Sequence, residues 1–112
     1  MDLHPRLNQI LRSAGASAKK SLGQNYLVSS SVLNKIAAAV HPQPGDRVIE
    51  IGSGTGFLTE RLLEKTGGTV TAVELDDRWA GHLQRNYAPH GLQVVHEDAL
   101  KCDWDKLSAL HP

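Results

Sequence analysis

A chain of 112 residues with one cysteine, Cys102, cannot close an internal disulfide. No covalent staple supports the fold, and a reducing cytoplasm suits such a chain. Long apolar runs are also missing. None approaches the roughly 20 residues that cross a bilayer, and the first 22 residues lack the continuous apolar core of a secretion signal. Net charge is absent: 12 Lys and Arg balance 12 Asp and Glu, so overall charge does not announce a nucleic-acid partner. The balance is uneven along the chain. Through residue 23, Arg6, Arg12, Lys19 and Lys20 are opposed by Asp2 alone. A basic arm of this kind fits a phosphate-rich partner, or equally a solvated tail. The six histidines are scattered over expected turns and helix surfaces, with no metal-binding spacing among them or to Cys102. Internal repeats and low-complexity segments are missing as well.

What is present is organised around Val48-Ile49-Glu50-Ile51-Gly52-Ser53-Gly54-Thr55-Gly56. A short apolar run breaks into three glycines at alternate positions. Helical spacing then restarts in Phe57, Leu58, Leu62 and Leu63. This is a buried strand, a turn without side chains, and a helix. Glycine adopts positive φ freely and lets a ligand press on the backbone, so a nucleotide-containing cofactor is expected on this turn.

The remaining elements follow from periodicity and punctuation. Leu3, Leu7, Ile10 and Leu11 predict a short amphipathic helix ending near Gly15. The polar stretch 18–27 is expected to be a loop. One of Ser29, Ser30 or Ser31 caps a helix from Val32 to about Val40, burying Val32, Leu33, Ile36 and Val40. His41-Pro42-Gln43-Pro44-Gly45 ends it. Strands are expected at 47–51, 69–75 and 92–96, and helices at 57–65 and 78–87. Asp76 or Asp77 caps the second of these helices, and one more short helix is expected within 101–110. Short apolar strands alternating with helical crossovers predict an α/β fold, the N-terminal part of a Rossmann-like doubly wound parallel sheet with three strands and flanking helices.

The glycine spacing selects the cofactor. A dinucleotide fingerprint places small residues at its first, third and sixth positions, here Gly52, Gly54 and Phe57. Bulky Phe57 disfavours an NAD-dependent oxidoreductase. Glu50, Gly52, Gly54 and Gly56 fit acid-x-Gly-x-Gly-x-Gly without a gap, and this resembles motif I of class I S-adenosylmethionine-dependent methyltransferases. Glu74, at the end of the second strand, can accept both ribose hydroxyls; taken alone it reads equally as an exposed strand-end acid. Asp98 follows the third strand, where it either accepts from the adenine amino group or caps the next helix, with Glu97 beside it facing solvent.

The loop before the second helix narrows the family. Lys19-Lys20, then Leu22-Gly23-Gln24-Asn25-Tyr26-Leu27, then Val32-Leu33 and Ile36, closely resemble the N-terminal signature of the ribosomal RNA adenine dimethyltransferases. Pro44-Gly45-Asp46 and Glu97-Asp98-Ala99 also match. The resemblance runs from about Lys19 to Lys101. It implies S-adenosylmethionine as cofactor, held by Asn25, Leu27, the Gly52 backbone, Glu74 and Asp98, with Glu50 and Gly54 completing the turn. It implies that Lys19, Lys20 and Gln24 approach the RNA, that the partner is small-subunit rRNA in a pre-ribosomal subunit, and that the full-length enzyme is a cytoplasmic monomer. The segment from Leu7 to Gly15 resembles the leader of the ribosome-assembly enzymes more than the resistance branch. On this reading residues 1–17 form a leader helix and 18–112 the cofactor-binding half of a methyltransferase domain.

Departures are few. Tyr26 stands where Phe is usual, Ser53 where Pro is frequent, and Glu97 where Gly is frequent. The family's catalytic tetrapeptide, Asn-(Leu/Ile)-Pro-(Tyr/Phe), does not occur in the sequence. In the family it holds the target amine and stacks on the flipped adenine. The chain is therefore expected to be a piece of such an enzyme, inactive by itself. The other reading is a non-catalytic S-adenosylmethionine- or RNA-binding half-domain.

Overall fold

The computed structural model describes residues 3–14 and 28–108. Among these, helix α1 spans His4–Ala14 and α2 spans Ser30–Val40. Strand β1 (Val48–Ile51), helix α3 (Phe57–Thr66), strand β2 (Val70–Val73), helix α4 (Asp77–Tyr87) and strand β3 (Gln93–Val95) then alternate. A short helix α5, Trp104–Ser108, comes last. The three strands are parallel in the order β1-β2-β3, with Val48 opposite Val70, and Ala72 opposite both Glu50 and Val94.

Local chemistry sets the boundaries. Ser29 caps α2 by accepting from the Val32 N–H, and Asp76 caps α4 by accepting from the N–H groups of Arg78 and Trp79. Gly67, with φ 75°, stops α3. His41 closes α2 in the left-handed region at φ 53°, rare for a residue with a side chain, immediately before Pro42. The last expected helix is present as α5, within 101–110, and an unanticipated 3-10 turn at Ala99–Lys101 precedes it.

The pleat gives the sheet two different faces. Val48, Val70, Ala72 and Val94 share one face and pack with Ala37, Leu62, Leu63, Leu83 and Tyr87, so α2, α3 and α4 cover one side. On the other side Ile49 is 38% and Ile51 60% exposed, while Thr71 and Val73 are buried. A second apolar cluster seats α1: Leu3, Leu7 and Leu11 pack on Leu33, Phe57 and Trp79.

The buried stripe of α2 differs from the expected one. Leu33 and Ala37 are buried, whereas Val32 and Val40 are exposed. Residues four apart stack on one face, so Leu33 carries Ala37 with it and turns its neighbour Val32 out. Val40 sits in the last turn, just before the chain breaks away at His41.

Candidate functional site: the glycine turn and the strand ends

Gly52, Glu74 and Asp98 lie within three residues of the carboxyl ends of β1, β2 and β3. The Gly52 N–H donates to the Val73 carbonyl at 2.9 Å and the Glu74 N–H to the Val95 carbonyl at 2.9 Å, so the ladder continues one residue beyond each strand. Open α/β sheets bind ligands at this end.

The turn from 52 to 56 has all three glycines at positive φ: 70°, 54° and 88°. The Gly56 N–H donates back to the Ser53 carbonyl at 3.1 Å, closing it. A β-carbon added at Gly52 would meet nothing within 4 Å, and one at Gly54 only the Gly52 carbonyl at 4.0 Å. No neighbour fills the place of a β-carbon at either glycine, and Gly52 is exposed whereas Gly54 is buried, so bare backbone is open to a ligand at Gly52. Gly56 differs: a β-carbon there would run into the Tyr87 ring.

Glu74 is the best-partnered acid of the site. Its Oε1 accepts from the Gly54 N–H at 2.8 Å and its Oε2 from the Asp76 N–H at 3.1 Å. It is 2% exposed. The alternative reading of an exposed strand-end acid does not hold: the carboxylate lies inside the turn and braces it, because two backbone donors there need an acceptor. Glu50, half-buried on the helix-covered face, accepts from the Thr59 hydroxyl of α3. Burial pushes the Glu50 carboxyl above its usual range, and the nearby charge of Glu74 adds to this, while the Thr59 hydroxyl opposes it.

Asp98 accepts from the Leu100 N–H at 2.9 Å, capping the 3-10 turn. The capping alternative is what the structure contains, and the side chain is half-exposed. Glu97 is exposed. Leu75, between Glu74 and Asp76, is 55% exposed and offers an apolar surface at the mouth.

Four contacts were not anticipated from sequence. His82, expected on a helix surface, is 4% exposed; its Nε2 lies 2.8 Å from the Thr55 carbonyl in the glycine turn. Tyr87 donates its hydroxyl to Glu60 at 2.6 Å, and Arg6 of α1 pairs with the same carboxylate. The Arg6 guanidinium also stands 5.0 Å from the centre of the Phe57 ring. Phe57 is 1% exposed, so the sixth fingerprint position is filled by a core aromatic rather than by a close backbone contact. The faint sequence signal for this group was that Tyr87, His82 and Trp79 recur at helical spacing on α4.

Lys19, Lys20, Gln24, Asn25 and Leu27 lie outside the described residues. The chain re-enters at Val28, whose carbonyl accepts from the Leu3 N–H at 2.9 Å and whose side chain joins the cluster around Phe57. Among the described residues no group of three or more His, Cys, Asp or Glu could hold a metal ion, and no helix is long and apolar enough to cross a membrane.

Comparison with known proteins agrees with this geometry. Residues 15–110 match the family described as ribosomal RNA adenine dimethylase. A relative from Ligilactobacillus salivarius, named ribosomal RNA small subunit methyltransferase A, is 43% identical over 107 residues, 95% of this chain and 36% of its own. One of the same name from Phenylobacterium zucineum is 44% identical over 96% of this chain and 38% of its own. Among solved structures, the 23S rRNA methyltransferase ErmE superposes with a TM-score of 0.64 at 32% identity, covering 70% of this chain and 32% of that one. A dimethyladenosine transferase from Plasmodium falciparum gives 0.62 at 32% identity, covering 70% and 29%. The chain spans about a third of the length of the curated relatives it matches. Matched over most of its length and built on the three parallel strands these relatives share, the chain belongs to the ribosomal RNA adenine dimethylase family.

Proposed function

We propose that this chain is the methyl-donor-binding part of an enzyme that transfers methyl groups from S-adenosylmethionine to the exocyclic amine of adenine in small-subunit rRNA. The observation that carries the reading is the turn itself: Gly52 leaves bare, exposed backbone at the strand ends, and Gly54 behind it is braced from within by Glu74. Such a cradle fits the flat, hydroxyl-bearing adenosine of the cofactor. The cofactor supplies the reactive methyl, and the protein binds, orients and keeps water away.

In this reading Gly52 and Gly54 carry the cofactor on their backbone. Glu74 meets the ribose hydroxyls with the lone pairs that Gly54 and Asp76 leave unused, since each carboxylate oxygen accepts twice. Glu50 supports the turn from the helix side through Thr59. Asp98 accepts from the adenine amino group with the oxygen that does not cap Leu100, and exposed Leu75 offers the ring an apolar face. Asn25 and Leu27 fold over the methionine end. Support for that placement is Val28, which packs against the apolar cluster that contains Phe57, the residue after the turn. Lys19 and Lys20 meet RNA phosphates as positioning charges and Gln24 lies near the target base. The names of the relatives favour the ribosome-assembly branch. A cytoplasmic, monomeric full-length enzyme acting on the pre-ribosomal small subunit completes the reading. The acceptor-presenting tetrapeptide is absent from this sequence, so methyl transfer needs residues that this chain does not supply.

Calorimetry of the purified chain with S-adenosylmethionine and with NAD tests the reading. Binding of the first and not the second is expected; tighter binding of NAD would overturn it.

A further inference from the structure

His96, the residue after β3, reaches back to the segment that follows β2. Its Nε2 lies 3.1 Å from the Leu75 carbonyl and 2.8 Å from Asp77 Oδ1. A carbonyl and an exposed carboxylate both accept, so Nε2 carries a hydrogen. The Leu75 carbonyl belongs to the same planar peptide as the Asp76 N–H, and across a trans peptide the two point in opposite directions. That N–H donates to Glu74 Oε2 at 3.1 Å. One continuous path therefore runs from the His96 ring, through the 75–76 peptide, to the carboxylate of Glu74. Val95 supplies a second grip one residue earlier, its carbonyl accepting from the Glu74 N–H at 2.9 Å. Consecutive residues at the exit of β3 thus hold two peptides at the exit of β2.

We propose that His96 is a positioning residue of the cofactor site: it orients the 75–76 peptide, whose N–H aims the Glu74 carboxylate at the ribose hydroxyls. This rests on the reading that Glu74 meets the ribose of S-adenosylmethionine. Each oxygen of Glu74 is fixed by one backbone donor, Oε1 by Gly54 and Oε2 by Asp76. The first donor belongs to the glycine turn. The second belongs to the peptide whose carbonyl end His96 holds. Donation to that carbonyl draws electron density towards its oxygen, which strengthens the N–H on the other side as a donor. Asp77 steadies the ring by sharing the same N–H. Without His96, water solvates the Leu75 carbonyl from no fixed direction, and the peptide can tilt. Glu74 stays buried and braced through Gly54, so the fold survives while Oε2 loses its aim.

The test is calorimetry of the full chain with S-adenosylhomocysteine and with its analogue lacking both ribose hydroxyls. His96→Ala should bind S-adenosylhomocysteine about fivefold more weakly, the loss of one hydrogen bond. It should bind the analogue within about twofold of wild type, because no hydroxyl is left for Glu74 to meet. Equal weakening of both ligands would mark a purely structural role and overturns the proposal, as does unchanged affinity for S-adenosylhomocysteine. His96→Gln keeps an N–H donor near the place of Nε2 and should restore binding to within about twofold. If His96→Ala fails to fold, nitrogen nuclear magnetic resonance of the wild type at pH 8 still decides: hydrogen on Nε2 is expected, and the Nδ1–H tautomer overturns the proposal. Exchange of the Asp76 amide should quicken in His96→Ala. If no form binds S-adenosylhomocysteine but that exchange quickens, the cofactor reading fails and the positioning of the peptide stands; unchanged exchange overturns the positioning.

Discussion

The ring of Tyr87 lies so close to Gly56 that a β-carbon at position 56 would sit 2.3 Å from Tyr87 Cε2. Two requirements therefore converge on one glycine: a φ of 88° and the absence of a side chain. The tyrosine that imposes the second requirement is itself held by Glu60, which Arg6 also grips. A helix that precedes the sheet is thereby linked to the turn at its mouth.

Gly56→Ala should destabilise the chain by about 2–4 kcal/mol, from a left-handed backbone and an overpacked contact together. Adding Tyr87→Leu should recover only the contact part, leaving the backbone strain. Denaturant melts of the single and double variants check this. Full recovery in the double variant would mean that backbone strain at Gly56 contributes nothing.

Glu74→Ala should do two things. It leaves the buried N–H groups of Gly54 and Asp76 without their acceptor, at a cost of roughly 1–3 kcal/mol. It should also remove most S-adenosylmethionine binding in whatever fraction remains folded. Melting temperature reads the first effect and calorimetry the second. Unchanged affinity in folded variant would show that Glu74 braces the turn without meeting the ribose.

Acid should weaken the bridge between α1 and α3. Burial alone would raise the Glu60 carboxyl, but Arg6 and the Tyr87 hydroxyl bring it below its ordinary 4.5. A carboxyl lowered in the folded state adds stability above its unfolded value, and that stability is lost as pH falls through the folded one. Stability should therefore decline below about pH 4.5. Glu60→Gln should cost about 1 kcal/mol at neutral pH, the pair being partly exposed, and make the acid decline shallower. An unchanged acid limb in that variant would place the titration elsewhere.

The two faces of the sheet should respond differently. Ile51→Thr, on a side chain 60% exposed, should change stability by no more than about 0.5 kcal/mol. Leu62→Ala, on a side chain 2% exposed within the main cluster, should cost roughly 2–5 kcal/mol. Chemical denaturation of both variants gives the comparison; similar losses would mean that the Ile51 face is covered in solution.

Much of the fold was legible before any coordinates. Periods of two and 3.6 residues, serine and aspartate caps, and glycine stops are interactions between residues a few positions apart. They placed α1, α2, α3, α4 and the three strands to within about two residues. The turn was legible for the same reason, since its three alternate glycines answer a local backbone demand. The spacing of Gln24-Asn25-Tyr26-Leu27 ahead of that turn also carried the family, now shown by the match over residues 15–110.

By itself, then, the sequence determined which segments are helix or strand, where the bare turn lies, and which family the chain belongs to. Tertiary structure alone decided which way the functional side chains face. Glu74 turns inward because Gly54, 20 residues earlier, brings an N–H beneath it. His82 is a buried anchor rather than a surface residue because Thr55, 27 residues away, presents a carbonyl to it. Gly56 had to be glycine for a second reason, the ring of Tyr87. An acid or a histidine has no inward or outward preference in its own pattern. The preference comes from the unsatisfied donor or acceptor that a distant segment delivers, and only the folded chain brings the two together.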